Sequence, residues 1–137
     1  MTLLFLDPDD ASRAPLAAGL ARHLGESLDM DVAAYSAGVR PSHVRQEVRT
    51  MLREVGAAID GIHAKPVMAV PLDEITLVIR LAPALDARLP DGVRIIDWHL
   101  PDPSCAPPEE REDAYRATRD ELLRRLKIHF AFHGVPR

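Results

Sequence analysis

The chain has 137 residues, 47% of them apolar and 28% charged, with 17 Lys and Arg against 21 Asp and Glu for a formal charge of −4. That balance describes a globular chain of one domain, residues 1–137, and excludes disordered, collagen-like and membrane-spanning classes. The two signs of charge are interleaved, so no basic footprint for nucleic acid is present.

One cysteine, Cys105, excludes an internal disulfide, a CxxC pair and a cysteine-rich zinc site. The apolar run Leu3-Leu4-Phe5-Leu6 is followed at once by Asp7, Asp9 and Asp10, which is no export signal, and a cytosolic location is the expectation.

Residues 2–6 read as a strand buried on both faces that runs into the loop Asp7-Pro8-Asp9-Asp10. From Ala14 the pattern turns helical, with Pro15 in the first turn and Leu16, Leu20 and Leu24 four apart on one face. A second strand is expected over Met30 to Ser36. A helix then starts at Pro41-Ser42, carries Val44, Val48, Met51, Leu52 and Val55, and stops at Gly56. Residues 57–72, with Gly61, Pro66 and Pro71, read as loop. Further strands are expected at 76–81 and 93–96, separated by a short helical stretch rich in Ala and Leu. A Pro-rich loop from Trp98 to Pro108 leads to a last helix, from about Glu109 to His129, with Tyr115, Leu122, Leu126 and Phe130 on its buried face.

Strands alternating with helices predict an α/β fold of three layers, α/β/α, around a four-stranded parallel sheet with helices on both faces. Such sheets bind ligands at the carboxyl ends of their strands, which points to residues 7–13. A strand, a loop ending in arginine and a helix form a phosphate-binding arrangement, because the amides at the helix N-terminus face the anion.

Asp7 through Pro15 resembles the C-x5-R-[ST]-P loop of the low-molecular-weight protein tyrosine phosphatases and of the thioredoxin-coupled arsenate reductases. The resemblance continues at Tyr35-Ser36-Ala37-Gly38, at Gly56 with Ala64-Lys65-Pro66, and at Trp98 through Pro103, which is similar to the family's W-x3-D-P loop. It implies that Pro8, Asp9, Asp10, Ala11, Ser12 and Arg13 form the anion-binding loop, that Ser36 supports it, and that Asp102 stands at the general-acid position. It also implies that the nucleophile position is filled by Asp7, so that the attacking thiolate is missing. The two further redox cysteines of the reductase branch fall on Ala82 and Leu89, and Cys105 has no resolving partner.

Three carboxylates and one guanidinium leave the loop near −2. Like charges about 4 Å apart repel by roughly 4 kcal/mol at an effective dielectric of 20, on the order of a thousandfold in affinity for a phosphate. Pro8 removes one amide donor and Asp9 adds a side chain, so restoring a cysteine alone is not expected to restore activity.

One expectation is therefore that the Asp7 carboxylate fills the anion nest itself, pairing with Arg13, while Asp10 takes a left-handed backbone and bonds to Ser36. A second follows from Leu4 through Asp9, which also resembles the D-x-D start of haloacid-dehalogenase-type phosphatases. That reading makes Asp7 a nucleophile and needs Mg2+, whereas the others need no cofactor. A third keeps the fold as a module for a protein partner, with no membrane role and no set oligomeric state. Plainer readings stand beside these: Asp7, Asp9 and Asp10 as an exposed acidic turn, Arg13 as their ion-pair partner, and Asp102 as a turn residue. No metal site is expected from His23, His43, His63 or His99. His129 and His133, four apart, are the sole pair with ligand-like spacing.

Overall fold

The computed structural model describes residues 1–137. Four strands, β1 (Thr2–Asp7), β2 (Ala33–Gly38), β3 (Leu77–Arg80) and β4 (Arg94–Asp97), form a parallel sheet in the order β2-β1-β3-β4. The continuous apolar run of β1 is explained by its place between β2 and β3, with side chains buried on both faces. β4 pairs on one side only and forms an open edge.

Three α-helices, α1 (Arg13–Ser27), α2 (Gln46–Glu54) and α3 (Arg111–His133), cover one face. Their buried stripes, including Leu16 and Leu20, Met51 and Leu52, and Tyr115, Leu122, Leu126 and Phe130, close over Leu3, Phe5 and Ile79 of the sheet. The other face, carrying Leu4, Leu6 and Val78, is closed by Val70 and Ile75. Those residues sit beside two short 3-10 turns, Val67–Ala69 and Leu72–Glu74, so the third layer holds no α-helix. No helix is long and apolar enough to cross a membrane.

The short helix expected between β3 and β4 does not form. Pro83 and Pro90 remove amide donors, Ala84 takes a left-handed backbone (φ 55°), and the segment runs irregularly across the sheet. β2 begins at Ala33 rather than Met30, because the Met30 amide closes the end of α1 on the Gly25 carbonyl at 2.8 Å. Helix α2 begins at Gln46 rather than at Pro41-Ser42, since the amides of Ser42 and Arg45 are held by the carbonyls of Asp9 and Ala11. Gly56, with φ 78°, follows α2 as expected. α3 runs four residues past its expected end at His129.

Candidate functional site

The loop from Asp7 to α1 lies at the carboxyl end of the central strand. Its carbonyls point outward. Those of Asp7, Pro8, Asp9 and Ala11 accept from the amides of Val39, Arg40, Ser42 and Arg45 at 3.3, 2.8, 2.9 and 2.9 Å. With the carbonyls fixed on the chain that follows β2, the loop amides turn inward and make a nest at the start of α1.

The nest holds the Asp7 side chain. Oδ1 accepts from the Asp10 amide at 2.6 Å and the Asp9 amide at 3.2 Å, and Oδ2 accepts from the Ala14 amide at 2.8 Å. Ser12, the residue before α1, makes no side-chain cap to the helix, and Asp7 supplies that cap from the preceding strand. Asp7 is 1% exposed. Burial pushes its carboxyl up from 3.8 to about 6, against the downward pull of the Ala14 and Asp10 amides, and the charges of Asp9 and Asp10 add to the rise.

Asp10 takes the expected left-handed backbone, φ 51°. Its carboxylate leaves the nest and turns to Lys65: Oδ2 accepts from the Lys65 amide at 3.0 Å and from Nζ at 3.3 Å. Lys65 Nζ also reaches the Ser36 hydroxyl at 3.3 Å and the His63 carbonyl at 2.9 Å. Ser36 thus stands beside Asp10 and is tied to it through Lys65, and Asp10 Oδ1 is buried with no hydrogen-bond partner. Burial raises the Asp10 carboxyl above its ordinary value, opposed by the neighbouring Ser36 hydroxyl and by Lys65.

Two expectations need correction here. Asp7 and Asp10 do not form an exposed acidic turn, since both are buried and only Asp9 is partly exposed. Arg13 does not pair with Asp7. Its guanidinium donates to the carbonyls of Leu100 at 2.8 Å and Leu81 at 3.5 Å, and stands 3.9 Å from Asp102 Oδ2. Arg13 therefore ties the loop to the Pro-rich segment that carries Asp102. The loop charge is also less negative than the sequence suggests, because Lys65 offsets Asp10.

Asp102 Oδ1 accepts from the Ser104 amide at 2.9 Å and its hydroxyl at 2.8 Å, capping the 3-10 turn Pro103–Cys105. Ser12 donates or accepts through Oγ with the Tyr115 hydroxyl at 2.7 Å, which joins the loop to α3. Cys105 is exposed and lines a cavity of about 510 Å3 between the Pro-rich segment and Ala114, Ala117 and Glu121 of α3. The structure thus brings together Asp7 to Arg13, Ser36 and Asp102 and adds Lys65. The signal for Lys65 is that it is one of two lysines in an arginine-rich chain and precedes Pro66 in a segment that resembles the family.

Gly38 sets the floor. A Cβ there would lie 2.6 Å from both the Asp10 amide nitrogen and the Asp9 carbonyl carbon, which are backbone atoms that cannot rotate away. Gly38→Ala is expected to lower stability by about 2 kcal/mol or more and to speed hydrogen exchange at the amides of Asp9 and Asp10. Unchanged urea unfolding and exchange would contradict this packing.

A family model, "low molecular weight phosphotyrosine protein phosphatase", matches residues 2–131. The chain belongs to this family. Among solved structures, an arsenate reductase in a phosphate-binding state is 25% identical to this family member, with a TM-score of 0.76 over 96% of this chain and 97% of that one. A low molecular weight protein tyrosine phosphatase from T. tengcongensis is 23% identical, with a TM-score of 0.83 over 96% and 99% of the two chains. The YwlE arginine phosphatase, as a mutant with a phosphorylated active-site serine, is 20% identical, with a TM-score of 0.74 over 93% and 91%. No curated protein sequence matches this family member.

Proposed function

We propose that this phosphatase-family chain has no cysteine-dependent turnover and acts as a binding or regulatory module whose anion nest is filled by its own Asp7. The observation that carries the reading is the Asp7 carboxylate itself, which accepts three amide hydrogen bonds at the first position of the loop. A carboxylate there gives the loop amides acceptor oxygens in place of those of an oxyanion and lacks the sulfur that would attack one. Cys105 sits on a different segment, exposed and without a second thiol, and completes no disulfide relay.

In this reading the rest of the machinery keeps the loop in shape. Lys65 neutralises Asp10, Gly38 lets the backbone pass, and Arg13 holds the Asp102 segment. Asp102, on the segment the family uses for its general acid, has its Oδ1 occupied by Ser104 and serves as a cap.

Support for the Mg2+-dependent reading is weaker. Both Asp7 oxygens are aimed at amides rather than at a second carboxylate, and no group of three His, Cys, Asp or Glu side chains is arranged to hold a metal ion.

The purified chain is expected to show no hydrolysis of p-nitrophenyl phosphate, phosphotyrosine or phosphoarginine peptides above buffer, and no thioredoxin-coupled arsenate reduction, with or without Mg2+. Metal-free turnover at the pace of an ordinary enzyme, about 1 s⁻¹ or faster, would overturn the proposal. Mg2+-dependent turnover abolished by Asp7→Asn would install the nucleophile reading in its place.

A further inference from the structure

Helix α2 and the segment leading into it carry a charge that the rest of the chain does not share. From Gly38 to Arg53 there are four arginines and one carboxylate, so this stretch is at +3 and the remaining residues of a chain at −4 overall carry −7. Arg45, the residue before α2, and Arg49 and Arg53 within it are four apart and form one stripe along the helix, with Arg40 on the segment before them. None of the four is within ion-pair distance of a carboxylate, whereas four of the five arginines of α3 are. Arg40, Arg45 and Arg53 are exposed. Arg49 alone of the four makes side-chain hydrogen bonds, to the carbonyls of Val44 at 3.3 Å and Ile62 at 3.2 Å, which leaves its charge unneutralised.

The neighbouring carboxylates do not cancel this charge. Glu54 is turned to Arg116 and Arg119 of α3, and Glu47, two turns earlier, shares that face of α2. Asp102 is held between Arg13 and Ser104. Asp9, whose carbonyl takes the Ser42 amide, and Asp60, in the loop that Arg49 ties to α2, leave two carboxylates against four guanidiniums.

The surroundings select the occupant. No Trp, Tyr or Phe lies between Gly38 and Lys65, so no ring is available to stack on nucleic-acid bases. None of the exposed large apolar side chains lies there, so nothing inserts into a bilayer. The −7 on the rest of the molecule repels a long polyanion or an anionic membrane, whereas a short acidic segment meets only the stripe. At nine residues α2 is about 13 Å long, the span of about four extended residues.

We propose, on the reading of this chain as a binding module, that α2 with residues 40–45 is the docking surface for an acidic, extended segment of a partner protein whose carboxylates pair with Arg40, Arg45 and Arg53. Exposed pairs of this kind are screened by salt, so docking has a dissociation constant of about 100 µM at about 20 mM salt and weakens at least about tenfold at about 0.3 M.

A fluorescein-labelled peptide of repeated glutamate-glutamate-serine triplets, followed by anisotropy and by the amide resonances of the 15N-labelled chain, tests it. The peptide should shift amides between Arg40 and Arg53 and leave those of Asp10 and Ala14 in place, because Asp7 holds them. Arg40→Glu combined with Arg53→Glu should weaken binding at least about tenfold. Arg94→Glu combined with Lys127→Glu makes the same change in net charge at exposed positions outside the stretch and should weaken it less than about twofold. No binding of the glutamate peptide at low salt, equal binding of its lysine counterpart, or equal loss in the two double variants would overturn the proposal. So would equal or tighter binding of oligothymidylate or of phosphatidylserine vesicles, which would assign the surface to a nucleic acid or a membrane. Shifts at Asp10 and Ala14 in place of the arginine stretch would put the peptide carboxylates in the nest and overturn both the docking surface and the filled nest. Absent binding together with absent turnover would overturn the docking surface alone.

Discussion

Replacing Asp7 with asparagine is expected to remove about 3 kcal/mol of pH dependence from the stability of the fold between about pH 4 and about pH 8. The carboxyl titrates at about 6 in the folded chain against an ordinary 3.8. The folded state therefore holds the Asp7 proton more tightly than the unfolded state does. The resulting stabilisation is complete below 3.8 and is lost as pH rises through about 6. Asparagine cannot titrate, so its profile lacks that decline. Glu54 and Glu121, each held down to about 2 by paired arginines, contribute with the opposite sign: their stabilisation is lost as pH falls from 4.5 toward about 2. Both pairs are present in both proteins and cancel in the difference. Urea unfolding of wild type and Asp7→Asn at several pH values checks the expectation, and parallel profiles would refute a buried, desolvated Asp7.

Emptying the nest should reveal what it was shaped to hold. In Asp7→Gly the amides of Asp9, Asp10 and Ala14 lose their acceptor while the loop carbonyls stay fixed on Val39, Arg40, Ser42 and Arg45. A helix N-terminus with converging amides binds small oxyanions. Phosphate, sulfate or formate at about 50 times a millimolar dissociation constant stabilises by about 2 kcal/mol, or about 6 °C in Tm. The wild type should move by less than about 1 °C under the same conditions. Equal shifts in both proteins would show that Asp7 does not occupy the nest. Asp7→Cys is expected to remain inactive, because Pro8 offers no amide and Arg13 is engaged with the carbonyls of Leu100 and Leu81.

Much of this arrangement is legible in the sequence. The apolar run of β1, the Asp7 to Pro15 segment and the phased leucines of α1 place a loop and a helix at the carboxyl end of a central strand. Asp7, at the position that the resemblance gives to the nucleophile, and the single cysteine, Cys105, are visible as well. The direction of Arg13 is not legible, because it depends on the carbonyls of Leu81 and Leu100, far along the chain and brought near only by the sheet. The partner of Asp10 is hidden for the same reason: Lys65 lies 55 positions away. The extended course of residues 41–45 is set by loop carbonyls that claim the amides of Ser42 and Arg45. The sequence there shows only a proline followed by a phased apolar stripe. The missing helix between β3 and β4 follows from Pro83 and Pro90, whose breaking effect outweighs the Ala and Leu content.

That an aspartate side chain stands where the family's oxyanion would sit is tested most directly by adding phosphate and vanadate to the 15N-labelled wild-type chain and following the amides of Asp9, Asp10 and Ala14. These resonances should stay in place up to about 20 mM of either anion, since their hydrogen bonds are already taken by Asp7. Saturable shifts at these three amides, with matching stabilisation of the fold, would contradict the account.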